Sequence, residues 1–307
     1  MFQRIVRLLC CVAFSGCAAG GVRTIAPQTT NGLSDRGALG LSPDYETKNG
    51  VVFVSSEHDD IIVLYPLVGT NLSSIGSIVI GVSAPLGMSV DAAGTLYVAN
   101  YSNSSVSEYP KGKVHPSIVL TAGIQQPGDA VVAGDGSVFV SNNTAGTVVA
   151  FHKGANRPFE TIGGMVAPLS MAFDDAGNLF VVDERVDTTG CIWEVQRGKS
   201  VAKKLNFKVE YPAGIAVDGH ENVYVTQQNE PPAIDVYRAG SSKPIRSITA
   251  GLDLPYLLSV SHGSLFAADF GAQTAMEYDA ASGKLEKTYS EDLRQPFGIA
   301  VLPADGT

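Results

Sequence analysis

Residues 85–112 read PLGMSVDAAGTLYVANYSNSSVSEYPKG, and residues 127–154 read PGDAVVAGDGSVFVSNNTAGTVVAFHKG. Each segment opens on a proline and runs through a short alternating apolar stretch. It then turns at a Gly-containing tetrapeptide, continues into a second apolar stretch, and crosses a polar loop into a third. The same plan recurs over residues 168–198, 212–240 and 255–283. The marker prolines are Pro85, Pro127, Pro168, Pro212, Pro255 and Pro296, spaced by 42, 41, 44, 43 and 41 residues. A fourth apolar stretch lies between units, as at Ser117–Leu120 and Ile245–Ile248. Alternation over five or six residues is the period of a strand. Residues 50–307 hold no amphipathic stretch of three helical turns.

A period near 42 with four short strands is the signature of a β-propeller blade. The two ends of the repeat set the blade number. The last segment, PFGIAVLPADGT (296–307), supplies a first strand and no second. The first body segment, NGVVFVSSEHDDIIVLYPLVG (49–69), supplies second and third strands and no first. Together they make one unit, which predicts an all-β fold of six blades, each of four antiparallel strands, with the ring closed by the C-terminal strand. Closure leaves no unpaired sheet edge at the seam. Along the first strands, Met88, Ala130, Met171, Ile215, Leu258 and Ile299 are equivalent, and Ser89, Val131, Ala172, Ala216, Ser259 and Ala300 follow them. Large residues on one face and small ones on the next suit the crowding of blades near an axis.

The chain has 307 residues, 45% of them hydrophobic and 17% charged, with 33 glycines. It can bury a core and is not a disordered polypeptide. A net charge of −9 excludes the basic footprint of a nucleic-acid-binding protein.

The N-terminus reads MFQRIVRLLCCVAFSGCAAGG. Arg4 and Arg7 precede an apolar run from Leu8 to Phe14, too short to cross a membrane as a helix and of the size of a secretory h-region. Phe14-Ser15-Gly16-Cys17 resembles a bacterial lipobox, in which the cysteine is lipidated and becomes the new N-terminus. Residues 1–16 are therefore read as a signal peptide, 17–50 as lipidated Cys17 with a flexible Gly/Pro-rich linker, and 51–307 as the propeller. An ordinary signal peptide cleaved between Gly16 and Gly21 is the alternative. Loss of residues 1–16 removes two positive charges and no negative one, which takes the net charge from −9 to −11. Membrane contact is expected only through the N-terminal lipid, on the outer membrane or cell surface of a bacterium. Of the four cysteines only Cys191 stays in the body, so no internal disulfide is expected. A monomer is expected.

The motif G-x-L-[YF]-V, followed by a polar residue and then [IVM]-x-x-[YFV], resembles the NHL repeat over residues 50–307. The resemblance implies a six-bladed propeller and leaves function open, because propellers of this kind include binding proteins, lactonases and lyases. It also implies that ligands meet the rim where the first strands begin and the second strands end. That rim gathers Asp129, Ser170, Tyr256 and Phe297 at strand entries. It also gathers Ser56, Asn100, Asn142, Asp183, Gln227 and Asp269 at second-strand ends, flanked by Glu57, His58, Asp59, Glu184, Arg185, Asn229 and Glu230. The opposite rim carries Lys111, Lys113, Lys153, Arg157, Arg197, Lys199, Arg238 and Lys243.

Polar residues at strand ends cap turns by bonding to backbone N–H groups. The same residues could instead form an oxygen-rich ring for a hard divalent cation, with Asp129, Asp183 and Asp269 as metal candidates. Catalytic motifs are scarce: H-E-x-x-H, G-x-S-x-G, a P-loop and a C-x-x-C pair are all missing from the sequence. Cys191 reads as a packed strand residue and Trp193 as a blade-packing one. The leading expectation is a non-catalytic binding or scaffolding module of the cell envelope, without a cofactor, taking an unknown protein or a small polar ligand on the acidic rim. The alternative is a gluconolactonase-like hydrolase that polarises a lactone carbonyl with a divalent ion at the channel mouth. A lyase resembling the streptogramin-inactivating propellers needs a His/Glu cluster that the scattered histidines do not provide.

Overall fold

The structure is a computed structural model that describes residues 45–184, 190–238 and 241–305. The signal segment, Cys17, most of the linker and Arg185 lie outside the described residues. Among the described residues, twenty-four strands form six four-stranded antiparallel sheets. Blade one is the composite: Pro296–Leu302 is its innermost strand, followed outward by Val51–Ser56, Ile61–Pro66 and Gly76–Ile78. The seam pairs Val51 with Leu302 and Val54 with Ile299. Blades two to six follow in chain order, with inner strands that begin at Pro85, Pro127, Pro168, Pro212 and Pro255.

The register explains why the prolines recur. Each marker proline lies opposite the last residue of the second strand: Pro85 opposite Asn100, Pro127 opposite Asn142, Pro168 opposite Asp183, Pro212 opposite Gln227, Pro255 opposite Asp269 and Pro296 opposite Ser56. The first residue of a strand is a position where a missing N–H is tolerated. A β-bulge follows in every blade before pairing resumes, as at Met88 with Val98 and Met171 with Val181. Bulges add twist, and here they sit where the six inner strands converge.

The core lies between blades. Phe53 and Leu64 face blade two and pack with Met88 and Val98, whereas Val54 and Tyr65 face blade six and pack with Phe266 and Tyr289. Strand alternation thus serves two neighbours at once. Each such aromatic or branched side chain contributes on the order of 2 kcal/mol by leaving water. Near the axis the backbones nearly touch: a Cβ on Gly298 would stand 2.1 Å from the Leu86 carbonyl oxygen.

Residues 45–50 join this body. The Tyr45 N–H donates to the Gly112 carbonyl at 3.0 Å, and its ring meets Phe53 edge-on at 5.6 Å. Burial pushes the Tyr45 hydroxyl up to about 12.

Candidate functional site

The polar residues that close the second strands all perform one local task. The loop entering each inner strand must turn from the outer edge of one blade to the axis, which leaves its N–H groups without a ladder partner. In blade two Asn100 Oδ1 accepts from the Ser83 N–H at 3.0 Å, while its Nδ2 donates to the Gly81 carbonyl. In blade three Asn142 Oδ1 accepts from Gln125 at 2.9 Å and its Nδ2 donates to Gly123. Gln227 Oε1 accepts from Glu210 at 2.7 Å, and its Nε2 donates to Asp235. In blade four Asp183 takes two successive N–H groups, Val166 at 3.1 Å and Ala167 at 2.8 Å, together with Trp193 Nε1 at 2.9 Å. Asp269 takes Asp253 and Leu254, each at 2.9 Å, and Ala272 at 2.8 Å. Ser56 holds Arg294 across the seam. These six pins therefore spend their acceptors on backbone N–H groups and, at Asp183, on Trp193 as well. Burial raises the Asp269 carboxyl above the ordinary range, while the three N–H groups pull it back. Among the described residues no three His, Cys, Asp or Glu side chains stand close enough to share a metal ion.

That end of the channel is closed by apolar side chains. The second residues of five inner strands, Leu86, Leu169, Ala213, Tyr256 and Phe297, form one buried cluster with Leu257 and Phe270. The Tyr256 ring stacks on Phe297 at 4.2 Å. Around this plug stand two glutamates. Burial raises the Tyr101 and Tyr256 hydroxyls, and Glu57 of blade one and Glu184 of blade four, from opposite sides of the ring, both add to it electrostatically. Desolvation raises the Glu184 carboxyl to about 7. Burial also raises Glu57.

The open space lies at the other end. A cavity of about 560 Å³ runs up the axis beneath the plug and opens at the rim of the first-to-second-strand turns, beside Asp91, Ser261 and Asp305. Lys111 and Asp305 pair at 2.6 Å on its edge. Asp129 is not on the outer face of the rim, where its strand-entry position had suggested it. It is 3% exposed and lines the inner part of this cavity. Its Oδ1 accepts from the Ala130 N–H at 2.8 Å and its Oδ2 from the Met171 N–H of the next blade at 2.9 Å. Burial lifts its carboxyl to about 7 against these bonds and a further one from the Ser170 hydroxyl.

The architecture has many counterparts among solved structures. The fold is a six-bladed β-propeller. A chain of a nidogen/laminin complex is 14% identical, with 82% of this chain and 98% of that one covered and a TM-score of 0.66. A chain of hydrazine synthase from Kuenenia stuttgartiensis is 13% identical, with 87% and 93% covered and a TM-score of 0.62. No family model and no curated protein matches the sequence. At these identities the likeness concerns the fold alone.

Two further side chains were read from the sequence as packing residues. Cys191 is buried at the start of a strand. Trp193, read as a packing residue, also donates to the Asp183 pin.

Proposed function

We propose that the chain is an exported, NHL-like propeller lipoprotein, anchored through Cys17 in a bacterial cell envelope, that acts as a non-catalytic binding or scaffolding module. Its partner, a protein or a small polar ligand, meets the plugged rim at Glu57, Glu184, Tyr101 and Tyr256. The observation that carries this reading is the pair of half-buried glutamates, Glu57 and Glu184, around an apolar and aromatic plug. A half-buried carboxylate that has lost part of its water gains from an incoming group that completes it. A cationic or donor-rich partner group would be drawn to such a site, and the aromatic floor adds stacking area. One solved neighbour belongs to a protein–protein complex and the other to an enzyme, so the fold accommodates both roles.

The test has two arms. Labelled palmitate incorporated by cells should be lost in Cys17→Ser, and unchanged labelling would remove the anchor from the proposal. Cross-linking on intact cells should give a defined adduct that disappears in the double variant Glu57→Gln, Glu184→Gln while the melting temperature holds. An adduct indifferent to both changes would place binding elsewhere.

A further inference from the structure

The repeat makes exceptions visible. The third residue of the six inner strands is Gly87, Asp129, Ser170, Gly214, Leu257 and Gly298. Asp129 is the only charged residue in these six strands. Structure alone does not require the charge there. Ser170, one blade on, performs the same inter-blade clasp: its hydroxyl accepts from the Ile215 N–H of the following blade at 3.2 Å, as Asp129 accepts from Met171. A neutral hydroxyl therefore suffices for the clasp, whereas a carboxylate at this depth carries a desolvation cost.

The neighbourhood is also shaped around that carboxyl. A Cβ on Gly87 would stand 2.2 Å from Asp129 Oδ1, so the preceding blade leaves room for the acid by having no side chain. The cavity that Asp129 lines is blind, since the Leu86, Leu169, Tyr256 and Phe297 plug lies beyond it and outside its lining. With Asp129 its inner wall presents Met88, Met171, Ile215 and Ile299. Its volume of about 560 Å³ falls within the usual range for small-molecule sites. A single anion at the inner end of a blind passage, set there among apolar side chains, selects for one chemistry: a compact cation with N–H donors and an apolar tail.

We infer that the axial channel is a binding site for a small alkylammonium compound, whose ammonium group pairs with Asp129 while its alkyl chain lies among Met88, Met171, Ile215 and Ile299. This site opens on the rim opposite the one proposed above and does not depend on it. The burial that lifts the Asp129 carboxyl sets the pH response. Ammonium binding favours the ionised form, so affinity rises as pH passes upward through about 7.

The probe is n-butylammonium, with n-butanol and n-butyrate as neutral and anionic matches of the same length, and sodium chloride as the ionic-strength control. Binding to the purified propeller is read from the melting temperature as probe concentration rises. Butylammonium should raise the melting temperature at pH 8. Its apparent Kd should be at least tenfold weaker at pH 5.5, and butanol and butyrate should have no effect. Asp129→Ser, which installs the side chain already serving as clasp in blade four, should fold and lose the response. Should that variant fail to fold, the wild-type protein supplies the same decision. The side-chain carboxyl of Asp129, followed by carbon NMR, should titrate at lower pH in saturating butylammonium than without it. An unmoved titration, a response retained in Asp129→Ser, or equal binding of butanol would each overturn the inference.

Discussion

Four of the six loops that enter inner strands are pinned by neutral side chains, Ser56, Asn100, Asn142 and Gln227, and two by carboxylates, Asp183 and Asp269. The backbone differs accordingly. In the four neutral blades the residue before the marker proline is left-handed: Ala84 at φ 43, Gln126 at φ 46, Tyr211 at φ 50 and Gln295 at φ 50. In the two carboxylate blades the corresponding Ala167 and Leu254 are not, and their N–H groups bond to the pin beside those of Val166 and Asp253. An amide or hydroxyl has one acceptor oxygen and holds one N–H, whereas a carboxylate has two and gathers a consecutive pair. The chemistry of one side chain thus goes with the conformation of a loop some sixteen residues earlier. A positive φ at a non-glycine residue costs on the order of 1 kcal/mol, and the carboxylate blades avoid it at the expense of burying a charge.

The largest effect is expected where a carboxylate holds most. Asp269→Ala frees three N–H groups at a residue with no exposure and should cost about 3 kcal/mol. Thermal melting should show a fall of roughly 5 °C or more. Converting a neutral blade is the reverse experiment. Asn142→Asp sets a carboxylate oxygen against the Gly123 carbonyl and should cost about 2 kcal/mol at pH 8. The loss should shrink near pH 4, where the new acid is protonated, and a loss unaffected by pH would refute the electrostatic account.

Asp183→Asn keeps the shape and removes one acceptor, for about 1 to 2 kcal/mol. Because Trp193 is the only tryptophan and donates to Asp183, its fluorescence should shift in the same variant. Ser56→Ala, the seam pin, should cost about 1 kcal/mol by chemical denaturation, the least of the set. Charge also predicts a pH trend. Asp129, Glu184 and Asp269 all have carboxyls raised on folding, so the native state holds more protons than the unfolded chain between the ordinary carboxylate value and the raised one. Their contribution is full below the ordinary carboxylate range and falls as pH rises through the raised values, about 7 for Asp129 and Glu184. Asp129→Asn should flatten the slope measured from pH 4 to 7.

The sequence made the blades legible because a proline recurs at each entry and the strand alternation survives in every copy. It made the seam legible because the two ends are complementary fragments of one unit. The second-strand residues were visible as polar, but their partners were not, since Ser83, Gln125 and Glu210 stand 17 residues earlier than the side chains that hold them. Turn chemistry reads over two or three residues and misses such a bond. Asp129 was grouped with the rim because its position along the strand is near that end. Its inward placement depends on the plug above it and on Gly87 beside it, and both belong to other blades. The signal for it was present all the same, as the one charge in six otherwise uncharged strands.

The seam strand of blade one also sets the order of events during synthesis. Residues 51–56 leave the ribosome almost at the start of the body, yet the strand that covers their inner edge is among the last to be made, some 240 residues later. Throughout that interval a nascent chain carries an uncovered row of N–H and C=O groups and the apolar Val52 and Val54. Loop closure over such a length is slow compared with the hairpins inside each blade. The seam is thus the latest pairing that the chain can form, and until it forms the edge of residues 51–56 is the stretch most in need of shielding.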